Sequence, residues 1–232
     1  MSRPLNHIAL ILDGNRRWAK KQGLGVLKGH QSGADRVESL LDRLDELGVH
    51  TVTLWGFSTE NWTRDQLQVQ GLMKLFEDFI DTFKDKAIRK ESRVIHLGRK
   101  DRLPASLVKK IADIEQETAH LTRRVINMAL DYGGRDEIIR AVKRLEEQGV
   151  SAKTLTEENF NQFLDTMAEP FPEPDMIVRT GGEMRMSGFM AWQGVYAEYY
   201  FIDTLFPDLT PNDMDDIVAE YGRRERRFGG GK

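Results

Sequence analysis

HIALILDGNRRWAKKQG, residues 7–23, carries the change of character that decides the fold. The apolar run Ile8 to Leu12 has strand length and no polar alternation, as in a strand buried on both faces. It stops at Asp13, and Gly14, Asn15, Arg16, Arg17 and Trp18 follow before a helix-like WAKKQ. A buried strand that runs into polar residues and then a helix fits an open α/β sheet, which keeps its ligands at the carboxyl ends of its strands. Glycine lets backbone approach a ligand closely, amides at a helix start favour anions, and arginines add fixed positive charge. The corner therefore suits phosphate. A bare phosphate would repel Asp13, so this carboxylate makes sense where a divalent cation bridges the two. The alternative is that Asp13 caps the helix and the arginines are solvated.

Working outward, further strand-length apolar runs occur at 50–57 (HTVTLWGF), 93–98 (RVIHLG), 123–130 (RRVINMAL) and 175–180 (DMIVRT). Segments of helical period lie between them. Val37, Leu40, Leu41, Leu44 and Leu47 share one face ending near Gly48, and Leu72, Leu75, Phe76, Phe79, Ile80 and Phe83 share another. Further helices are expected over Pro104–His120, Arg135–Gln148, Glu157–Met167 and Pro211–Arg226. The alternation predicts a mainly parallel central sheet flanked by helices on both faces. No linker or repeat divides the 232 residues, so a single α/β domain over 1–232 is expected.

Composition narrows the chemistry. With 34 basic and 37 acidic residues the chain lacks the overall positive field of a nucleic-acid binder. The absence of cysteine excludes disulfides and thiolate ligands, fits a reducing cytosol, and leaves oxygen or imidazole as metal donors, which favours Mg2+ over zinc. No stretch reaches the roughly 20 apolar residues of a membrane span.

Two more polar bursts follow strands. FSTENWTR, 57–64, gathers Ser58, Thr59, Glu60, Asn61, Trp62 and Arg64, although Ser58 or Thr59 could simply cap the next helix. RTGGEMRMS, 179–187, sets Arg179, Arg185 and Ser187 around a diglycine, repeating the phosphate logic. The apolar FMAWQGVYAEYYFI after it argues against a mobile surface loop. GLGVLKG, 23–29, has the wrong spacing for a dinucleotide fingerprint and no strand directly before it. His30 beside it is either a core histidine or, being close in sequence to the Asp13 corner, part of the site.

These motifs, with GH at 29–30, NMALDYGGRDEI at 127–138 and the tail RERRFGG at 224–230, resemble the cis-prenyltransferases over nearly the whole chain, specifically the bacterial undecaprenyl diphosphate synthases. The resemblance implies condensation of isopentenyl diphosphate onto an allylic diphosphate, typically farnesyl diphosphate, with release of pyrophosphate and formation of a cis double bond. It implies that Asp13 binds Mg2+, that Gly14, Asn15, Arg16 and Arg17 with neighbouring Trp18 hold the allylic diphosphate, and that His30 helps its departure. Arg179, Arg185 and Ser187 match the isopentenyl diphosphate site, and Glu198 matches a second acid of the metal environment. Asn61, Trp62 and Arg64, with Ser58 and Glu60 in the same turn, match residues that order substrate and assist proton loss. The hydrocarbon would lie in a tunnel lined by Val37, Leu40, Leu41 and Leu44 and by Leu75, Phe76, Phe79, Ile80 and Phe83, each of which ordinary core packing also explains. A homodimer is implied whose tail reaches the partner's site, as is a cytoplasmic location with peripheral contact at the inner membrane face for product release.

Other readings are a short-chain synthase, a non-catalytic partner subunit and a generic phosphate-binding module. The partner subunit is disfavoured by the presence of Asp13, Arg17 and Arg185, and a trans-prenyltransferase by the absence of a DDxxD motif. A medium-length product near undecaprenyl is expected, with Gly56 leaving space beside the FSTENW turn. One departure stands out: Val26 occupies a position where many members carry an arginine for the allylic diphosphate, with Lys28 or Arg16 as candidate substitutes.

Overall fold

The run that opens the sequence forms β1 (His7–Ile11), buried along its whole length. It lies inside a six-stranded sheet of order β3-β4-β2-β1-β5-β6, and every pairing is parallel. In this computed structural model, which describes residues 4–224, the chain alternates through α1 (Asn15–Lys21), α2 (Val26–Glu46), β2 (Thr51–Ser58), α3 (Gln66–Arg89), β3 (Ser92–Leu97), α4 (Ala105–Thr118), β4 (Arg124–Tyr132), α5 (Gly134–Glu147), α6 (Glu157–Phe160), β5 (Met176–Arg179), β6 (Glu198–Phe201) and α7 (Pro211–Arg223). The expected mainly parallel sheet is thus all parallel.

The sheet's two faces are covered differently. Ile8, Leu10, Val52, Leu54, Ile126 and Met128 face a core completed by α2, α3, α4 and α7. Ala9, Ile11, Ala129 and Ile177 face Phe189 and Met190 on the other side, and α5 packs on Phe160, Phe163 and Leu164. Leu40, Leu41 and Leu44 of α2 are at most 2% exposed, and each contributes on the order of 1.5–3 kcal/mol by leaving water.

One irregularity matters for function. The β2–β4 register shifts between Trp55 and Phe57, so Gly56 is an extra residue in β2. Such a bulge re-aims the residues beside it. Trp55 packs on the Phe189 side, while Phe57 joins the core on the α2 and α3 side.

One expectation needs correction, and two elements go beyond what the sequence reading contains. The stretch 157–167 is helical only to Phe160, followed by a 3-10 turn at Asn161–Phe163. The backbone is drawn out of helix there because the Asp165 amide donates to Glu137 Oε1 at 2.9 Å and its carboxylate is held by Arg140 and Arg144. Strand β6, within the aromatic run after the third polar burst, was not expected. Helix α2 begins at Val26, so GLGVLKG is the turn into it and its first residues. The tail from residue 225 onward lies outside the described residues.

Candidate active site

Because the strands are parallel, β1, β2 and β5 deliver their carboxyl ends to one edge of the sheet, with Ile11 beside both Trp55 and Arg179 in register. Between β1 and β5 the chain order reverses direction across the sheet, the usual place for a ligand crevice. Asp13 and Arg179 meet there: Arg179 Nη2 donates to Asp13 Oδ2 at 2.8 Å. Arg17 approaches the other oxygen at 3.3 Å and donates to the Gly181 carbonyl at 2.6 Å. Thr180 fixes the Asp13 backbone, its hydroxyl accepting from the amide at 2.9 Å and donating to the carbonyl at 2.6 Å. Sequence reasoning passed over Thr180, although its place inside RTGG was visible.

Burial tends to raise the Asp13 pKa, but the hydrogen bond from Arg179 and the charges of Arg179 and Arg17 outweigh it and hold the carboxyl below its usual range. Asp13 is therefore an ionised hard-oxygen donor. Arg179 also donates to Ser187 Oγ at 2.9 Å, which joins the first and third motifs. Arg185 turns its guanidinium to Glu183, 2.5 Å away, and offers its carbonyl to Arg179. Its side chain is 62% exposed.

Gly14 caps α1 with φ of 110°, and a Cβ there would stand 2.9 Å from Leu205. Gly29 permits closer contact still, because a Cβ would meet the Asn15 carbonyl at 2.2 Å. The approach of α1 and α2 brings Asn15 and His30 to one cavity. The pKa of His30 falls to about 4, chiefly through burial and further through the charges of Arg64 and Arg16. His30 is thus neutral at physiological pH, and its Nε2 is buried without a hydrogen-bond partner among the described residues. Burial and the nearby Arg16 charge also lower the Arg64 pKa, partly offset by Asp13. Among the described residues neither Arg16 nor Arg64 forms a salt bridge. The corner holds cations that protein carboxylates leave unmatched.

A cavity of about 280 Å3 joins this corner to the interior. Asp13, Asn15, His30, Ser58, Asn61, Arg64, Arg179 and Ser187 form its polar part. Its apolar part runs beneath α2 and α3 from β1 across β2 to Met128 and Leu130 of β4. Val37, Leu75, Phe76, Phe79 and Ile80 line it as expected. Leu40, Leu41, Leu44 and Phe83 are instead core residues, because they lie about a turn or more beyond the last lining residues, Val37 and Ile80, along the same faces of their helices. Leu54, Leu72, Met128 and Leu130 were missed as lining, since each also reads as ordinary core. Gly56 reaches the cavity, but its space is partly filled: a Cβ would lie 2.9 Å from Leu130 and 3.2 Å from Phe76.

Other expected residues are placed elsewhere. Trp18 donates its indole N–H to Asp208 at 2.6 Å, tying α1 to the segment before α7. Trp62 donates to Asp131 at 2.9 Å, and Glu60 is exposed in the turn. The Ser58 amide donates to Asn61 Oδ1 at 3.1 Å, so the capping alternative and cavity lining coexist in one turn. Glu198 stands beside Met176 at the start of β6, three residues before the level of Arg179, and pairs with Arg224 at 3.2 Å. That offset is roughly 10 Å along the strand, so one chain does not bring Glu198 to Asp13. On α2, His30, Gly33, Ala34 and Val37 line the cavity. Lys28 lies about 160° around the helix from His30, whereas Val26 shares its face. Lys28 is therefore off the face of α2 that lines the cavity.

An anion-seeking strand-end corner opening into an apolar cavity defines a class of protein that handles a charged head on a hydrocarbon chain. Residues 11–229 match the family model described as putative undecaprenyl diphosphate synthase. The chain is 43% identical to the isoprenyl transferase of Fusobacterium nucleatum over 97% of this chain and 96% of that protein. It is 44% identical to that of Thermotoga maritima, with the same coverage. Among solved structures it resembles lavandulyl diphosphate synthase from Lavandula x intermedia in complex with dimethylallyl diphosphate, with TM-score 0.93, 34% identity and coverage of 97% and 98% of the two chains. A probable undecaprenyl diphosphate synthase from Campylobacter jejuni matches with TM-score 0.82 and 34% identity over 98% of this chain and 100% of that one. The chain belongs to the undecaprenyl diphosphate synthase family of prenyltransferases. Its activity is cis-prenyl chain elongation. No helix among the described residues is long and apolar enough to cross a membrane.

Proposed function

We propose that the Asp13 corner holds the diphosphate of an allylic primer, with Arg16, Arg17 and Arg64 as its cations, while Arg179, Arg185 and Ser187 receive isopentenyl diphosphate. The observation that carries this reading is the single cavity whose polar part contains Asp13, Arg64, Arg179 and Ser187 and whose remainder is apolar. Two anchored heads align the reacting carbons, replacing a bimolecular encounter by proximity. As the allylic carbon–oxygen bond breaks, charge grows on the departing pyrophosphate, and guanidinium groups fixed beforehand stabilise it. Neutral His30 adds a hydrogen-bonding group without a competing charge. Asn61 and Arg64 orient the isopentenyl group, which forms the new carbon–carbon bond as pyrophosphate leaves and then gives up a proton to that released pyrophosphate.

A Mg2+ ion fits the donors at this corner. Asp13 is ionised and offers a hard oxygen donor, although no group of three or more His, Cys, Asp or Glu assembles among the described residues. Mg2+ is commonly held by one or two carboxylates together with substrate phosphates and water. When bound, it would neutralise charge on the departing pyrophosphate. Among the described residues Asp13 would hold it. A homodimer and a peripheral membrane contact during release of the hydrocarbon product complete the proposal.

The test is incubation of the purified protein with farnesyl diphosphate, radiolabelled isopentenyl diphosphate and Mg2+, followed by dephosphorylation and chromatography. A ladder ending near undecaprenol is expected. Failure to incorporate label with any allylic primer overturns the reading. A short product is the second reading, supported by a cavity of about 280 Å3, just below the roughly 300–1,000 Å3 that holds drug-sized ligands.

A further inference from the structure

Asp131 lies one residue from the cavity-lining Leu130, yet it does not line the cavity. It is fully buried and adopts a left-handed backbone with φ of 52°, a conformation that few side chains tolerate. The bend turns its carbonyl to the Arg99 amide at 3.1 Å. Its carboxylate accepts from the Trp62 indole N–H at 2.9 Å and from Arg102 Nε at 2.8 Å, with a second short contact from Arg102 Nη2. The Arg102 guanidinium also lies 5.7 Å from the centre of the Trp62 ring. Phe57 meets the same ring edge-on, with ring centres 5.1 Å apart.

Trp62 is thus fixed at its nitrogen and along its ring. It belongs to the 3-10 turn Thr59–Thr63, whose neighbours Asn61 and Arg64 line the cavity. Nothing in the proposed chemistry needs a buried carboxylate behind this turn, and an unpaired one would be costly there. Strained backbone is kept where surrounding structure over-determines it, often beside a functional site. We infer that Asp131 is a positioning residue for the reaction: through Trp62, and braced by Arg102, it sets the height of the 58–64 turn and so aims Asn61 and Arg64 at the substrates. The inference rests on the reading of that turn given above.

The test measures steady-state elongation with farnesyl diphosphate and radiolabelled isopentenyl diphosphate for wild type, Trp62→Phe, Asp131→Asn, Asp131→Ala and the double variant Trp62→Phe/Asp131→Ala. Displacing a positioning contact should lower kcat about tenfold to a hundredfold in Trp62→Phe and Asp131→Ala. Asp131→Asn keeps an acceptor for the indole and should fall between them and wild type. The double variant should be no slower than the worse single variant, because both remove one linkage. Thermal unfolding of each variant reports folding separately. Should Asp131→Ala fail to fold, Trp62→Phe and Asp131→Asn carry the test. Unchanged kcat in these folded variants, or losses that multiply in the double variant, would overturn the inference. Wild type that fails to elongate overturns the functional reading itself, and this inference with it.

Discussion

Two clusters of arginine and aspartate in this molecule use the same side chains to opposite ends. Asp165 receives Arg140 at 2.7 and 2.6 Å, Arg144 at 2.7 Å and the Gly98 amide at 2.9 Å, so both its oxygens are saturated. Asp13 receives Arg179 at 2.8 Å on one oxygen and Arg17 at 3.3 Å on the other, and its carboxylate side chain is 30% exposed. Nearby, Arg16 and Arg64 form no salt bridge among the described residues, whereas Arg144 spends its remaining reach on the Phe163 carbonyl at 2.6 Å. Saturation makes the Asp165 cluster part of the framework. Surplus charge makes the Asp13 cluster a site.

The contrast can be broken most severely at Asp165. Asp165→Ala should cost about 3–5 kcal/mol of stability, because two arginines lose their buried partner. Chemical denaturation measures this, and kcat of the folded enzyme should barely change. Asp13→Ala should shift the balance the other way, lowering kcat by about a hundredfold or more while costing less stability than Asp165→Ala, since only Arg179 loses a buried partner. A well-folded Asp13→Ala enzyme of normal activity would erase the distinction.

A smaller effect sharpens the division within the site. Arg185→Ala should raise KM for isopentenyl diphosphate about tenfold and spare the allylic substrate, and Arg17→Ala should show the converse. Arg179→Ala should affect both substrates, since its guanidinium spans Asp13 and Ser187. Kinetics with each substrate varied in turn separates these cases. The smallest effect is expected at Lys28, on the far side of α2 from the cavity. Lys28→Ala should change the allylic KM by less than about twofold, as befits an exposed charge.

Much of this division was legible in the sequence. Alternating apolar runs and helical stripes specify an α/β sheet, and polar bursts straight after strands mark one edge of it. What period cannot show is where a side chain finds its partner. Trp18 and Trp62 stand inside the substrate motifs, yet their indoles serve Asp208 and Asp131 through contacts between distant segments. Glu198 is separated from the site by strand register, which a linear motif does not encode. Strand β6 escaped notice because EYYF is a four-residue edge strand inside a longer aromatic run. The helix expected over 157–167 follows real periodicity in Phe160, Phe163 and Leu164, but hydrogen bonding around Asp165 overrides it.

Gly29 adds a consequence of another kind. Its α-carbon lies so near the Asn15 carbonyl that position 29 works as a feeler gauge between α1 and α2. One added methyl must wedge the two helices apart. Arginines Arg16 and Arg17 ride on one jaw and His30 on the other, so the smallest possible side chain there would change the jaw width. On the proposed reading, the grip on a diphosphate would be set by a clearance of less than one carbon atom.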